Sequence, residues 1–346
     1  MAELSHELLR RLPKAELHCH LDGSVRPQTL LDLAAERDVP VPARTAREMD
    51  DYMIVRNAHN LEEYLARFSV TLSVMQDAPA LERIARELIE DAARDGVRYI
   101  EIRYSPVLNT QDGLSLDETV EAPLRGIAAG TRETGTIGRV IICALRHLEP
   151  AVSSELSRLA VAYRHQGVVG FDLAGGESGN PARDHAESFA YARAHDLAVT
   201  VHAGEGYGAG SIRQAVHDCG ANRIGHATRL FEDPSLSQYV NDRRIALEIC
   251  LTSNVQTHAV ASYETHPLRA YFDDGQNVVL STDNRLMSGT TLTDEYAHAA
   301  HSLGFSLPEL AQIARNGFED AFLPWHERVA LLESVDRELS SLLSSS

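Results

Sequence analysis

Short apolar runs rich in β-branched residues alternate with stretches of helical periodicity from one end of the chain to the other. Strands that alternate with helices are typical of a parallel sheet with crossover helices. Eight such repeats favour an α/β fold, a closed (β/α)₈ barrel of the TIM type formed by residues 1–346 as one domain. The predicted strands are Ala15–Leu21, Val97–Ser105, Arg139–Arg146, Val168–Gly175, Ala198–Glu205, Arg223–Thr228, Ala246–Asn254 and Asn277–Asn284.

A doubly wound open sheet is the competing fold. The barrel is favoured because GxGxxG, the usual nucleotide-binding fingerprint of such a sheet, does not follow the first strand. The helical stretches have apolar residues with a period near 3.6, and one of them ends before Gly96. Its apolar positions are Leu81, Ile84, Ala85, Leu88, Ile89 and Ala92.

A long segment, residues 26–80, separates the first two strands. Because one crossover helix needs far less chain, we expect extra helices here that include a lid. One apolar helix face is predicted from residues spaced i, i+3, i+4 and i+7, namely Leu61, Tyr64, Leu65 and Phe68. That face either packs on the core or forms a hydrophobic wall over the pocket. At the other end of the chain, the Ser-rich residues 340–346 are expected to fray.

The net charge of the chain is −18, and the sequence contains no run of Lys and Arg residues that could neutralise phosphates. We therefore exclude nucleic acid and anionic membranes as partners and expect a small substrate without strong negative charge. Neither a secretory signal nor an apolar run of the roughly 20 residues that a bilayer span needs is present, which favours a cytoplasmic protein. Scattered cysteines without CxxC spacing predict reduced packing residues, namely Cys19, Cys143, Cys219 and Cys250.

Polar side chains capable of chemistry end most of the predicted strands, although the strands themselves are apolar. The carboxyl ends of all the strands of a barrel open onto one mouth, where active sites lie. We therefore expect these side chains to converge. They are His18, His20 and Asp22 on the first strand, His202 and Glu205 on the fifth, His226 on the sixth, Thr252, Ser253 and Asn254 on the seventh, and Asp283 and Asn284 on the eighth.

Four of these residues suit a metal ion. His18 and His20 are two apart on a strand and therefore point to the same face. Together with His202 and Asp283 they offer imidazole nitrogens and a carboxylate oxygen, a set that suits zinc with water in an open position. Each histidine alone is more often a hydrogen-bonded core residue, but the four together favour one Zn²⁺ per chain. Zinc lowers the pKa of its water to about 7, which supplies a nucleophile at neutral pH.

Two further residues suit proton chemistry beside that metal. Glu205 lies three residues beyond His202 and is predicted to donate a proton to the substrate, since burial raises the pKa of a carboxyl group. His226 is expected beside the water, where it either takes a proton from the water or orients it. The alternative for His226 is a core histidine that is bonded to the backbone.

Six segments, in order along the chain, resemble the adenosine deaminase family within the zinc amidohydrolase superfamily: PKAELHCHLDGSVRPQTL, FDLAGGE, VTVHAGE, RIGHA, CLTSN and STDN. The resemblance implies hydrolytic removal of ammonia from C6 of adenosine or 2′-deoxyadenosine, which gives inosine or 2′-deoxyinosine. By this resemblance the zinc ligands are His18, His20, His202 and Asp283, the proton donor to purine N1 is Glu205, and the partner of the water is His226.

The resemblance also implies substrate contacts. Asp22 matches the residue that contacts the ribose hydroxyls, Gly175 matches the glycine whose amide meets purine N3, and residues 61–68 match the hydrophobic lid. Asn284 departs from the pattern, because the family usually has an Asp there whose protonated carboxyl donates to purine N7. An Asn amide always carries N–H donors, so we expect Asn284 to make that bond. Ala227 also departs, since the family more often has Gly at this position.

Three other functions compete with this interpretation. The nearest is a related deaminase acting on adenine or on a 5′-modified adenosine such as aminodeoxyfutalosine, which Asp22 disfavours because those members more often carry Glu there. A binuclear hydrolase of the superfamily requires a bridging lysine at the end of the fourth strand, and that strand ends in DLAGGE. A catalytically silent binding module is disfavoured because all of the expected ligands and acids are present.

Overall fold

A barrel of eight parallel strands forms the centre of the computed structural model, which describes residues 4–55 and 67–345. Each strand pairs in parallel with the next one along the chain, in the order β1 to β8. The predicted (β/α)₈ barrel is confirmed, and the sequential strand order excludes a doubly wound sheet. The strands are β1 Lys14–His20, β2 Val97–Tyr104, β3 Ile137–Leu145, β4 Val168–Ala174, β5 Ala198–Ala203, β6 Arg223–His226, β7 Ala246–Ile249 and β8 Val278–Leu280.

Strand β1 closes the barrel against the segment that follows β8. The backbone N–H of Asp283 donates to the His18 carbonyl at 2.9 Å, and the His20 N–H donates to the Asp283 carbonyl at 2.7 Å. A parallel bridge pairs Cys19 with Asp283. Main-chain bonds therefore hold the two histidines of β1 beside Asp283.

Helices surround the barrel and connect its strands. The described α-helices are α1 His6–Arg11, α2 Pro27–Arg37, α3 Ala46–Met53, α4 Phe68–Leu72, α5 Ala78–Arg94, α6 Leu116–Thr134, α7 Pro150–Ala162, α8 Ala186–Ala194, α9 Ala209–His217, α10 Pro234–Asp242, α11 Leu251–Gln256, α12 Leu268–Asp273, α13 Arg285–Ser288, α14 Leu292–Leu303, α15 Leu307–Glu319 and α16 Trp325–Ser345. Short 3₁₀ helices are Pro106–Asn109, Ala182–His185, Leu230–Glu232 and Tyr263–Thr265.

Helix α5 illustrates how the helices pack on the strands. Asp77 caps its first turn by accepting the Ala80 N–H at 2.8 Å. The predicted apolar stripe from Leu81 to Ala92 is buried, and full burial of each Leu or Ile side chain contributes about 1.5–3 kcal/mol. Gly96 follows the end of the helix in the left-handed region, at a φ of 80°. Helix α15 contacts both β1 and β8 and so covers the closure of the barrel.

Charged residues fill the interior of the barrel. On β2, Ile100 and Ile102 belong to the apolar core, whereas Glu101 and Arg103 alternate with them and are fully buried. Because successive side chains of a strand point to opposite faces, one apolar set packs outward and the charged set points inward. This polar interior lies directly beneath the strand ends that carry the predicted site.

Strand β7 is shorter than predicted. It ends at Ile249, so Thr252, Ser253 and Asn254 lie in helix α11 rather than at a strand end. The Asn254 N–H donates to the carbonyl of Cys250, a helical hydrogen bond that ends the extended conformation. These residues still reach the barrel mouth because α11 begins immediately after the strand.

The predicted frayed tail is also wrong, since helix α16 continues to Ser345. Leu342 is buried in the hydrophobic core. The Ser344 hydroxyl donates to the Ser340 carbonyl at 2.7 Å, one helical turn back. The apolar packing of Leu342 outweighs the weak helix preference of the serines.

The expected extra helices after the first strand are confirmed as α2, α3 and α4, which precede the crossover helix α5. The four cysteines are buried and form no disulfide, as predicted. Within residues 4–55 and 67–345, no helix has both the length and the apolar composition that crossing a bilayer demands.

Candidate active site

The predicted histidines and carboxylates converge at the carboxyl ends of the strands. His18 and His20 point to the same face of β1, His202 lies near the end of β5, His226 ends β6, and Asp283 follows β8. All five are buried or nearly so. Residues separated by up to 265 positions therefore meet at one point of the barrel mouth.

The atoms that face this point are close enough to share one ion. His20 Nε2 lies 3.1 Å from His202 Nε2 and 3.4 Å from Asp283 Oδ1. His18 Nε2 lies 3.4 Å from the same Asp283 oxygen. The potential ligand atoms of His18, His202, His226 and Asp283 all lie within 4.8 Å of one another. Both His20 and His226 are thus near enough to compete for one position in a shared coordination sphere.

Buried carboxylates set the tautomers of two of these histidines. His18 Nδ1 lies 2.9 Å from Glu248 Oε2, and His202 Nδ1 lies 3.1 Å from Asp172 Oδ2. Because an ionised carboxylate only accepts, each Nδ1 carries a proton, and in the neutral ring each Nε2 keeps its lone pair. Such carboxylate–histidine pairs orient the imidazole ligands of metal sites.

Glu248 also holds together the charges inside the barrel. Its carboxylate accepts from Arg103 at 2.9 Å, from Arg223 Nε at 2.7 Å, and from the hydroxyl of Thr200 at 3.1 Å. Burial by itself raises the pKa of the Glu248 carboxyl, but the two adjacent guanidinium groups hold that pKa well below its usual range. The ionised form that orients His18 is therefore the stable one.

Glu205 is buried beside His226. Its Oε2 lies 3.5 Å from His226 Nε2, and its Oε1 lies 3.0 Å from the hydroxyl of Thr257. The loop that carries Glu205 is held by Glu177, whose carboxylate accepts the successive N–H groups of residues 204, 205 and 206 at 3.1, 2.9 and 3.3 Å. Glu205 is thus fixed on both its backbone and its side chain.

Three non-glycine residues at the site have left-handed backbone conformations. The φ angles are 64° for His226, 51° for Ala227 and 62° for Asp283. Glycine adopts this region without strain, whereas the Cβ atom of Ala227 makes the same conformation unfavourable. Strained backbone of this kind concentrates at functional sites, where the surrounding structure holds it. Ser253 supports Asp283 by donating to Oδ2 at 2.6 Å.

The predicted substrate contacts surround the same point. Burial raises the pKa of Asp22 to about 7, and its Oδ1 has no hydrogen-bond partner in the part of the chain that the structure describes. Asn284 Oδ1 likewise lacks a partner there. A Cβ atom on Gly23 would lie only 1.7 Å from that oxygen, so Asn284 packs against a position that glycine must occupy. Gly175 follows β4 at a φ of 95°.

The predicted lid lies mostly outside the described residues, because Leu61, Tyr64 and Leu65 fall within 56–66. Phe68 is described, begins helix α4 and packs half-buried against the hydrophobic core. A wall over the pocket stays a prediction for the segment as a whole.

Sequence reasoning missed several residues that support the site: Asp172, Glu177, Glu248, Thr257 and His266. A signal for the two strand carboxylates was present, because an acidic residue inside an apolar run of a parallel strand must be paired when it is buried. The segments FDLAG and ALEIC each contain one such residue. No local pattern points to Glu177, Thr257 or His266, because their roles depend on contacts with residues that are distant along the chain.

Comparison with known proteins agrees with this geometry. Residues 13–338 match the profile of the family described as Adenosine deaminase. The chain is 40% identical to an adenosine deaminase of Mycobacterium avium (strain 104), in an alignment that covers 96% of this chain and 97% of that protein. It is also 40% identical to a probable adenosine deaminase of Dictyostelium discoideum, with 93% of this chain matched to 42% of that longer protein.

Among solved structures, the chain is similar to an adenine deaminase from Arthrobacter aurescens, with a TM-score of 0.88 and 27% identity over 95% of this chain and 99% of that chain. These matches agree with the barrel and with its buried cluster of histidines and carboxylates. The chain belongs to the adenosine deaminase family of hydrolytic enzymes that act on carbon–nitrogen bonds.

Proposed function

We propose that this chain removes ammonia from C6 of adenosine and 2′-deoxyadenosine by hydrolysis, with inosine and 2′-deoxyinosine as products. The observation that carries the proposal is the convergence of His18, His20, His202 and Asp283 beside the buried carboxyl of Glu205. This combination supplies a metal site and a proton donor within one pocket, as hydrolysis at an aromatic amidine carbon requires.

The donor set fits one zinc ion. His18 Nε2 is buried and has no hydrogen-bond partner in the described chain, although its other nitrogen is bonded. Ligand atoms that would each lie about 2.0–2.2 Å from one ion are separated by roughly 3–4 Å, and the separations of 3.1 and 3.4 Å between these atoms fall in that range. We assign the ligands as His18, His20, His202 and Asp283. When bound, zinc would act as a Lewis acid that lowers the pKa of water to about 7.

Two residues of the protein, Glu205 and His226, act on the purine and on the attacking water. Glu205 donates a proton to purine N1 while the oxygen of water bonds to C6. Of the two protons of that water, one passes to N6 and the other restores the carboxyl of Glu205. The C6–N6 bond then breaks, ammonia leaves, and C6 keeps the oxygen as a carbonyl. Thr257 and the loop held by Glu177 keep the Glu205 carboxyl beside the pocket. His226 lies next to Glu205 and orients the attacking water.

Three residues are assigned to the substrate, and for one of them, Asp22, an unpartnered buried oxygen supports the assignment. Asp22 accepts hydrogen bonds from the ribose hydroxyls, and Asn284 donates its amide N–H to purine N7, with the Gly175 amide at N3. Buried polar atoms without partners are rare in folded proteins and mark positions that a ligand completes. The unpartnered oxygen of Asp22 therefore supports a substrate that carries a sugar.

A substrate panel tests the proposal. We expect the zinc-loaded protein to consume adenosine and 2′-deoxyadenosine, with a kcat/KM at least about 100-fold lower for adenine, which lacks the sugar groups that Asp22 would bind. Ultraviolet absorbance follows each reaction. A chelator should abolish the activity, and one equivalent of zinc per chain should restore it. Faster turnover of adenine or of a 5′-modified adenosine would instead support the rival substrates.

Substitution of Asn284 tests the contact with N7. We expect Asn284→Ala to lower kcat/KM for adenosine by about 5- to 10-fold, the equivalent of one hydrogen bond of about 1–1.5 kcal/mol. Asn284→Asp should keep activity at low pH and lose it as the pH rises, because only a protonated carboxyl can donate to N7. An unchanged kcat/KM in the alanine variant, with zinc content intact, would remove Asn284 from this role.

A further inference from the structure

A chain of three buried hydrogen bonds leads from helix α12 to His226. The backbone N–H of Leu268, the first residue of α12, donates to His266 Nδ1 at 3.0 Å. His266 Nε2 lies 3.1 Å from Asn254 Oδ1, and Asn254 Nδ2 lies 2.9 Å from His226 Nδ1. The proposed reaction makes direct use of His226 alone among these residues.

The direction of every bond in this chain follows from its first donor. A backbone amide only donates, so His266 Nδ1 accepts and keeps its lone pair. Burial lowers the pKa of His266 to about 3, and the neutral ring therefore carries its single N–H proton on Nε2. That N–H donates to Asn254 Oδ1, which turns the amide NH₂ group of Asn254 toward His226 Nδ1.

We propose that Asn254 and His266 are positioning residues that hold His226 in its Nε2–H tautomer, so that an N–H group of His226 faces the metal site. With Nδ1 occupied as an acceptor, a neutral His226 has its proton on Nε2. The inference rests on the proposed function for the identity of that site. It adds two residues that reach the reaction only through His226.

The tautomer of His226 is the opposite of the tautomers of His18 and His202. In those two rings a carboxylate accepts the proton of Nδ1, and the Nε2 lone pair faces the site. His226 presents an N–H instead and cannot ligate through Nε2, which leaves His20 as the third histidine ligand. For the same reason His226 donates to the oxygen of the attacking water and does not remove a proton through Nε2.

Asn254→Asp reverses one bond of this chain with little change of shape. A carboxylate still accepts from His266, but it also accepts from His226 and so draws a proton onto Nδ1. Asn316→Asp is the matched control, since Asn316 likewise accepts from a side chain, Gln312, and donates at 3.1 Å to an acceptor, the Val278 carbonyl. His266→Phe is a second variant that keeps Asn254 and removes its orientation.

Nitrogen NMR of the zinc-loaded protein with labelled histidine reads the tautomer without any substrate, and the missing signal in His226→Gln assigns the resonance. We expect His226 to be protonated at Nε2 and not at Nδ1 in the wild type. Nδ1 should be protonated in Asn254→Asp, and His266→Phe should show both tautomers. A wild-type His226 protonated at Nδ1 would overturn the proposal.

Kinetics supply the second readout. We expect kcat for adenosine to fall by about 10-fold or more in Asn254→Asp, as when one preorganised donor is lost, while KM and the zinc content change by less than about twofold. Asn316→Asp should keep the wild-type kcat. Equal kcat values in the two variants would contradict a positioning role. If adenosine is not a substrate but the NMR result holds, the proposed function fails and the tautomer assignment stands.

Discussion

Replacing Glu205 with Gln is expected to lower kcat for adenosine by at least about 100-fold, because an amide cannot transfer a proton to purine N1. The amide has nearly the shape of the carboxyl, and Oε1 can still accept from the Thr257 hydroxyl that lies 3.0 Å away. Zinc binding should therefore be unchanged. Steady-state kinetics combined with metal analysis of the same preparation measures the effect.

Glu295→Gln is the matched control for this substitution. Glu295 is a fully buried glutamate of α14 that accepts from Thr252 and Thr290 and whose pKa burial raises to about 7. Within the described part of the chain Glu295 makes no hydrogen bond or ion pair with the histidine cluster, so the kcat of Glu295→Gln should stay close to the wild-type value. A loss of less than about 10-fold in Glu205→Gln would take the proton donor role away from Glu205.

Removal of the Glu248 carboxylate is expected to have the largest effect on stability. Glu248→Ala deprives Arg103, Arg223 and His18 of one partner, and all of these side chains are fully buried inside the barrel. Breaking a buried ion pair from one side costs about 3–5 kcal/mol in the free energy of unfolding. The affinity for zinc should also fall by about 10- to 100-fold, since His18 loses the group that orients it.

An exposed pair supplies the control. Glu338 lies 2.9 Å from Arg98, and both side chains are about two-fifths exposed. Glu338→Ala should change the free energy of unfolding by at most about 1 kcal/mol, because solvent screens this pair. Urea denaturation of both variants with zinc saturated, followed by metal titration, makes the comparison. Similar losses in the two variants would show that the buried network contributes no more than an ordinary surface contact.

Most of the positions in the proposed site could be predicted from local patterns. His18 and His20 share a face because they are two apart on a strand, and His202 and Asp283 follow strand-like runs whose carboxyl ends meet in any such barrel. The positions of Thr252, Ser253 and Asn254 were predicted near the mouth, but their helical conformation was not. A short apolar run does not reveal where a strand turns into a helix.

The sequence by itself determined the barrel, the order of its strands and the residues that meet at its mouth. The reason is that the periodicity of each strand and helix, and the order of these segments, can be read directly from the sequence. Only the tertiary structure decided which groups hydrogen-bond to the histidine rings of the site. Glu248 bonds His18, Asp172 bonds His202, and Asn254, itself held by His266, bonds His226. These partners lie on other strands and loops. The register and closure of the barrel bring them together, and the direction of each hydrogen bond then sets the proton on each ring.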